Sequence, residues 1–488
     1  MRVRFAPSPT GYLHIGGLRT ALYNYLLARR HGGAFVLRIE DTDQTRFVED
    51  AEQDILDSLA WAGISYDEGP QVGGAFGPYQ QSARSDRYKE VADELIALGK
   101  AYVAFDTSEE IDGLKTRLTS PENPNPRYDF TTRSQMTNSI TLSSDETASR
   151  LARGDEYVVR LLVEPGKDVS FQDAVRGQVS FESNAVDDQV LIKSDGLPTY
   201  HLANIVDDHD MQITHVIRGE EWLSSTPKHI LLYDALGWTA PQMAHLPLIL
   251  SPTGGKLSKR NADKEGIPVS VLQYRQKGYE PDALINFLAL LGWNPGTGQE
   301  LMTLEEMVSV FSLDRVGQAG VQFDLQKLAW FNEQYLRSRS PGSIAESVYP
   351  LAAERHPGVS LEYLSSAILL MLERLSFASD IVEATYLFQD PDVYEEKSVA
   401  KRWKANSGQL LTLYSDKLKS TSAWTTESME ALLKGMVEHE GIGIGELMFP
   451  LRMALTGLPS GPDLYAMMVL LGKETVQRRL VKATTTLS

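Results

Sequence analysis

Arg2-Val3-Arg4-Phe5-Ala6-Pro7-Ser8-Pro9-Thr10-Gly11-Tyr12-Leu13-His14-Ile15-Gly16-Gly17-Leu18 runs from an apolar stretch through a breaker cluster into a helix start. Val3 to Ala6 reads as a short buried strand, and Pro7 to Gly11 as a tight loop. Leu18 to Arg30 follows as an amphipathic helix, with Leu18, Leu22, Tyr25, Leu26 and Arg29 spaced by three and four. His31-Gly32-Gly33 ends it, and Ala34 to Ile39 is again an apolar strand. Strand, loop, helix and strand in this order make a βαβ unit and imply a parallel sheet.

Outward from this unit, helices are expected over 48–62 and 88–98. Residues 105 to 155 change character: Ser, Thr, Asn, Pro and Asp dominate, as in Thr119-Ser120-Pro121-Glu122-Asn123-Pro124-Asn125-Pro126, and read as an inserted, loop-rich subdomain. Segments 157–163 and 189–206 are strand-like, with Asp195-Gly196 as a turn between Val190–Lys193 and Thr199–Ile205. A helix over 225–236 and a strand over 245–250 follow. Beyond about 270 the pattern is helical at 281–291, 303–311, 324–335, 361–375, 427–438 and 463–470. An α/β front half carrying an insertion thus precedes an all-helical back half.

The 488 residues correspond to about three domains. Cysteine is absent, which excludes a disulfide scaffold, thiol catalysis and a thiolate zinc site. No apolar run has membrane-spanning length, and Met1-Arg2-Val3-Arg4 is unlike a signal peptide, so a cytoplasmic location is expected. The net charge of −18 by itself argues against a nucleic-acid partner. It is unevenly spread, however: residues 1–39 hold six Arg and no acid, and residues 401–488 hold 11 basic against 8 acidic side chains. Either these are solvated helix faces, or both ends meet an anion.

Gly16 and Gly17 open a helix whose free N–H groups suit a phosphate, with His14 as a further donor. The loop matches neither the dinucleotide fingerprint nor the P-loop, and taken alone a Gly pair is ordinary turn chemistry. A second segment, Lys256-Leu257-Ser258-Lys259-Arg260, follows the loop Ser251-Pro252-Thr253-Gly254-Gly255 and carries three cations and a hydroxyl. It suits a transferring phosphoryl group, or is a basic surface loop.

Together the two segments resemble the paired signatures of class I aminoacyl-tRNA synthetases, His-Ile-Gly-His and Lys-Met-Ser-Lys-Ser. Here Gly17 replaces the second His, and Leu257 and Arg260 also depart. Arg4–Gly11, Arg38-Ile39-Glu40-Asp41-Thr42-Asp43, Gly196–Asn204 and Val216-Ile217-Arg218-Gly219-Glu220-Glu221-Trp222 narrow the resemblance to bacterial glutamyl-tRNA synthetases. That resemblance spans essentially the whole chain. It implies a Rossmann-like α/β catalytic domain over 1–70 and 185–250, with an acceptor-binding subdomain inserted over 71–184. A stem-contact region over 251–325 would hold the Lys256 loop, and an all-α anticodon-binding region would occupy 326–488.

The implied activity is ATP-dependent ligation of L-glutamate to the 3′ end of tRNA(Glu) through a glutamyl-adenylate, by a monomer. By the same resemblance Arg4, Ala6, Ser8, Glu40, Tyr200, Asn204 and Arg218 hold glutamate. The implied ATP contacts are His14, Gly16, Gly17, Glu221, Trp222, Leu248, Ile249, Lys256, Ser258, Lys259 and Arg260, with His14, Lys256 and Lys259 in catalytic roles. ATP would arrive with Mg²⁺. Some members hold zinc through Cys in the insertion; here no zinc is expected, and the insertion must be stabilised otherwise or be locally mobile. Arg374, in a segment resembling an anticodon-reading helix, would favour tRNA(Glu) over tRNA(Gln).

Internal alternatives accompany these roles. Arg4 or Arg218 could sit in an internal salt bridge, and Asp41-Thr42-Asp43 could serve local hydrogen bonding instead of a metal. Asp207-Asp208-His209-Asp210 resembles a metal cluster but reads better as an acidic turn. Two other functions fit parts of the pattern: a nucleotidylyltransferase acting without tRNA, and an inactive RNA-binding protein.

Overall fold

The computed structural model describes residues 1–257 and 264–487. They form two compact units, one of Met1–Lys277 with Pro281–Lys327, the other of Gly278–Glu280 with Leu328 onward.

The first unit begins as the opening residues predict. Strand β1 (Arg2–Phe5) leads through the Pro-rich loop into helix α1 (Ile15–Arg30), which returns as strand β2 (Ala34–Leu37). The two strands pair in parallel from Arg2↔Ala34 to Phe5↔Leu37. Leu18, Leu22 and Leu26 are fully buried, so α1 packs its apolar stripe inward. Polar groups fix its seat: Asn24 Nδ2 donates to Ile217 O at 3.2 Å, Arg19 Nη1 to Leu291 O at 2.8 Å, and Tyr23 Oη to Ala289 O at 2.9 Å.

Helices α2 (Ala51–Trp61) and α3 (Ser85–Ala97) follow, then β3 (Ala101–Ala104), α4 (Ser108–Leu118), α5 (Ser144–Arg153), β4 (Val158–Leu161), β5 (Asp168–Asp173), β6 (Gly177–Glu182) and β7 (Val190–Ile192). The chain returns with α6 (Tyr200–Asp210), β8 (His215–Gly219), α7 (Thr226–Leu236), β9 (Gln242–Leu246) and β10 (Ile249–Leu250), and β11 (Val321–Gln322) closes the unit's strands. β8 and β9 pair in parallel from His215↔Gln242 to Gly219↔Leu246. Thr214 N donates to Arg2 O at 2.9 Å, which joins this pair to β1 at the start of both strands. The carboxyl ends of β1 and β8 therefore lie along one edge, where open α/β sheets bind ligands.

The strands between α3 and α6 go two ways. β3, β4 and β7 form an antiparallel sheet of their own, whereas the β5–β6 hairpin joins the edge of β9 through Asp173↔Met243. The small sheet is held by a buried polar cluster. Asp188 accepts from Tyr102 Oη at 2.7 Å and pairs with Arg133 at 3.2 Å, and the Arg160 guanidinium lies 3.9 Å over the Tyr128 ring. Burial pushes the Asp188 carboxyl up to about 6 despite these donors.

One expected strand is a helix. The chain does turn at Asp195-Gly196, with Gly196 at φ +81° and Lys193 N bonded to Leu197 O at 2.9 Å. From Tyr200, however, it is helical, and every residue from Leu202 to Asp208 is buried. A helix buried almost all round has no polar face, so its short apolar run looks like a strand. The correction moves Asp207 and Asp208 from an acidic turn to the last turns of a buried helix.

The second unit is all-helical, as expected. The helices at Leu361–Met371, Thr426–Glu440 and Leu464–Leu471 match expected ones, while Pro341–Arg355, Glu396–Arg402, Ser407–Ser420, Ile444–Thr456 and Lys473–Thr486 were not anticipated. Pro350 and Pro450 lie inside two of the latter, where proline normally argues against helix. The core includes Leu364, Ile368, Leu411, Leu433, Leu451 and Leu480. Buried Arg479 donates to the carbonyls of Tyr386, Leu455 and Gln389 and to Asp390.

Asp188→Ala strands a buried guanidinium and a phenol. The change is expected to lower stability by about 3 kcal/mol, read as a lower urea midpoint. An unchanged midpoint contradicts the role assigned to this cluster.

Candidate active site

A cavity of about 1000 Å³ opens at the carboxyl ends of β1 and β8. It is lined by Arg4, Ala6, Ser8, His14, Gly16, Gly17, Glu40, Tyr200, Asn204, Arg218, Glu221, Trp222, Leu248, Ile249 and Lys256, every expected glutamate and ATP contact within the described residues. Ser258, Lys259 and Arg260 lie outside the described residues. Arg374 belongs to the second unit, where it is exposed in the 3₁₀ turn Leu372–Arg374 that follows the helix ending at Met371, not in the helix itself.

One end of the cavity is built on the start of α1. His14 is its N-cap, and its Nδ1 accepts from Gly17 N at 3.0 Å. An imidazole nitrogen that accepts carries no proton, so in the neutral ring the proton sits on Nε2, which becomes the donor. The loop is clamped from outside: Ile15 N bonds Val269 O at 3.0 Å and Val271 N bonds Leu13 O at 2.8 Å. A Cβ at Gly17 would stand 2.8 Å from Leu13 Cδ1, so the Gly here matches the close packing of its own loop. Across the cavity Lys256 Nζ lies 3.4 Å from Glu221 Oε1.

Behind the opposite end lies a buried ion cluster. Arg4 presents Nε and Nη2 to the two oxygens of Asp208, at 3.0 and 3.4 Å. Arg38, wholly buried, reaches Asp208 at 2.8 Å, Glu40 at 3.2 Å and Asp207 at 3.6 Å. Arg84 adds a 2.7 Å pair to Asp207. Burial alone would raise Asp208, but Arg4 and Arg38 hold it below its ordinary value. Burial dominates at Glu40 and raises it, although Arg38 and Arg4 oppose the shift and Asn204 donates to it at 3.2 Å. The expected alternatives for Arg4 therefore coexist: it lines the cavity and is salt-bridged internally. Its carboxylate-matching Nε edge is spent on Asp208, leaving Nη1 outside that pair.

Five of the six N-terminal arginines meet groups of the chain itself. Arg2, Arg4, Arg29 and Arg38 meet Glu68, Asp208, Asp67 and the cluster, and Arg19 meets backbone carbonyls. The anions that four of these five meet are carboxylates of the chain itself. In the second unit Arg478 and Arg479 meet Asp390 likewise. Asp43 bonds locally, accepting from Arg46 Nε at 2.7 Å, whereas Asp41 bonds far along the chain, accepting from Ser82 N at 2.8 Å. Among the described residues no group of three or more His, Cys, Asp or Glu is placed to hold a metal ion.

The comparisons with known proteins agree with this geometry. Residues 1–330 match the model of the class I tRNA synthetase (E and Q) catalytic domain, and residues 343–484 match an anticodon binding domain. The chain is 48% identical to a glutamate–tRNA ligase of Cytophaga hutchinsonii, covering 100% of this chain and 98% of that protein. It is also 48% identical to one of Amoebophilus asiaticus, covering 98% and 97%. The chain belongs to the glutamate–tRNA ligases. A solved glutamate tRNA ligase from Elizabethkingia meningosepticum, in complex with its amino acid, superposes with a TM-score of 0.96 at 42% identity over 100% of both chains. Membership of the ligase family accounts for the α/β unit, the cavity on its sheet edge and the helical second unit in one chain.

Sequence reasoning missed what stands behind the cavity. Arg218 gives Nε to His245 Nε2 at 3.1 Å, Nη1 to Tyr200 Oη at 2.8 Å and His229 Nδ1 at 3.3 Å, and Nη2 to Thr226 Oγ1 at 2.9 Å. His229 Nε2 in turn lies 3.2 Å from His201 Nδ1. No motif announces His229 or His245, and only the fold brings them to His201, which lies within the Gly196–Asn204 motif. An Arg cannot accept, so both imidazole nitrogens facing it are lone-pair acceptors, and each ring's proton is on its far side.

Burial, then the Lys228 ammonium, pushes His201 down to about 4. Unfolded, it titrates near about 6.5. Between these values the unfolded chain binds the extra proton, so its contribution to stability is complete above the higher value and is lost as pH falls toward the lower. His201→Gln is expected to flatten the fall of the urea midpoint between about pH 7 and pH 5; an unchanged slope contradicts the assignment.

Proposed function

We propose that this ligase joins L-glutamate to the terminal ribose of tRNA(Glu) in two steps within this cavity. A glutamate α-carboxylate oxygen attacks the α-phosphorus of ATP, forming a new P–O bond as the bond to the bridging oxygen breaks and pyrophosphate leaves. The 2′-hydroxyl of the terminal adenosine then attacks the acyl carbon of glutamyl-adenylate, AMP leaves, and the hydroxyl proton is lost. No side-chain nucleophile is needed.

The observation that carries this reading is the single cavity shared by the His14–Gly17 helix start and by Arg4, Glu40 and Arg218. Cations suit the carboxylates of glutamate, and Glu40 suits its ammonium. His14 Nε2, the amides of Gly16 and Gly17 and the Lys256 loop suit the phosphates, where charge builds during transfer. Ala6, Ser8, Tyr200 and Asn204 complete the amino-acid pocket, and Glu221, Trp222, Leu248 and Ile249 the nucleoside pocket. Mg²⁺ would enter on the ATP phosphates, which supply oxygen ligands.

On this reading the insertion meets the acceptor end, residues 251–325 the stem, and the helical remainder the anticodon, with Arg374 favouring tRNA(Glu). The enzyme works as a monomer in the cytoplasm, and activation requires bound tRNA. ATP–pyrophosphate exchange with glutamate is therefore expected only when tRNA is present; exchange without tRNA supports a nucleotidylyltransferase instead, and no exchange at all an inactive protein. Lys259→Ala is expected to lower single-turnover adenylate formation by at least about tenfold, and near wild-type activation in the folded variant removes Lys259 from the mechanism.

A further inference from the structure

Arg218 is held by a charged residue far from it in sequence. Asp173 ends β5, the strand that joins the edge of β9 from the inserted stretch. Its Oδ2 lies 2.6 Å from His245 Nδ1, and both side chains are wholly out of water. Its Oδ1 is occupied separately, accepting from the backbone of Val175 and Arg176 at 2.9 Å each and of His245 at 3.3 Å. The far side of the imidazole, Nε2, accepts from Arg218 Nε at 3.1 Å. A carboxylate that only accepts, an imidazole and a guanidinium that only donates admit one arrangement: the His245 proton is on Nδ1, and its lone pair faces Arg218.

This relay fixes the guanidinium plane. Of the five N–H groups of an arginine, one on Nε, two on Nη1 and one on Nη2 go to His245, Tyr200, His229 and Thr226. One Nη2 hydrogen remains outside these bonds. That hydrogen donates to a carboxylate oxygen, and a guanidinium held in place favours an anionic carboxylate over a neutral amide, so the plane must not turn.

Building on the glutamate pocket proposed above, we propose that Asp173 and His245 are positioning residues which lock the Arg218 guanidinium and so set the preference for glutamate over glutamine. Neither touches substrate; the coupling runs through the tautomer. Asp173→Asn keeps Oδ1 and its backbone bonds but places an NH₂ against His245 Nδ1. The imidazole proton then moves to Nε2, and two donors face each other at Arg218, the tautomer inversion known from triad carboxylates. His245→Gln, by contrast, can donate to Asp173 through its amide nitrogen and accept from Arg218 through its oxygen.

The test measures aminoacylation with glutamate and glutamine for the full chain and three variants, with circular dichroism to confirm folding. Asp173→Asn is expected to raise the glutamate KM by about tenfold or more, leave the ATP KM within about twofold, and narrow the glutamate-to-glutamine ratio of kcat/KM. His245→Gln is expected to keep at least about a third of wild-type kcat/KM for glutamate. Arg218→Lys separates the two levels of inference. If it leaves the glutamate KM unchanged, the pocket reading fails. If it raises that KM while Asp173→Asn does not, the pocket stands and the positioning role is overturned. Equal rises in the glutamate and ATP KM for a folded Asp173→Asn variant also overturn it, as does a His245→Gln variant as impaired as Asp173→Asn.

Discussion

The Arg38–Asp208 pair, with both side chains out of water, is the constraint on which the rest of the site depends. Arg38 lies just past the end of β2, and Asp208 near the end of α6, so the pair ties the first βα unit to the helix that follows the insertion. Isolated buried charges cost several kcal/mol each, and only close pairing offsets the loss of water. Here Arg4, Arg38 and Arg84 meet Asp207, Asp208 and Glu40, three positive charges against three negative. The cluster is balanced before any substrate arrives, and Arg4 and Glu40 form its cavity-facing members.

Behind Arg218 the device is different. Burial pushes His201, His229 and His245 down, and two of them, His229 and His245, face the one guanidinium without adding charge. Each offers a lone pair, and the proton positions are dictated by the arginine that cannot accept. Two cationic contacts in one pocket are thus held by opposite means, Arg4 by a counter-charge and Arg218 by neutral acceptors. Of the two, only Arg218 has no direct carboxylate partner among the described residues.

Much of this was legible in residue order alone. The opening βα unit follows from breaker residues and a three-four spacing, and the cavity collects every described residue expected to hold glutamate or ATP. The misreadings have physical causes. α6 lacks a polar face because both its sides are buried, so its period was hidden and Asp207–Asp208 looked like a turn. Pro350 and Pro450 hid two helices that tolerate them. The charge count misled most: net charge does not distinguish arginines awaiting RNA from arginines already paired with Asp208, Asp67 or Glu68. Asp173 and His245 were invisible because their meaning lies in a contact across 72 residues that only the sheet creates.

The most direct measurement of the central claim is a crystal structure of the chain with bound L-glutamate. The account predicts a carboxylate oxygen at about 2.8 Å from Arg218 Nη2, the ammonium against Glu40, and the Arg4–Asp208 and Arg218–His245 contacts unchanged. Glutamate seated elsewhere, or an Arg218 that swings away from His245 to meet it, would contradict the claim that the site is built before its substrate arrives.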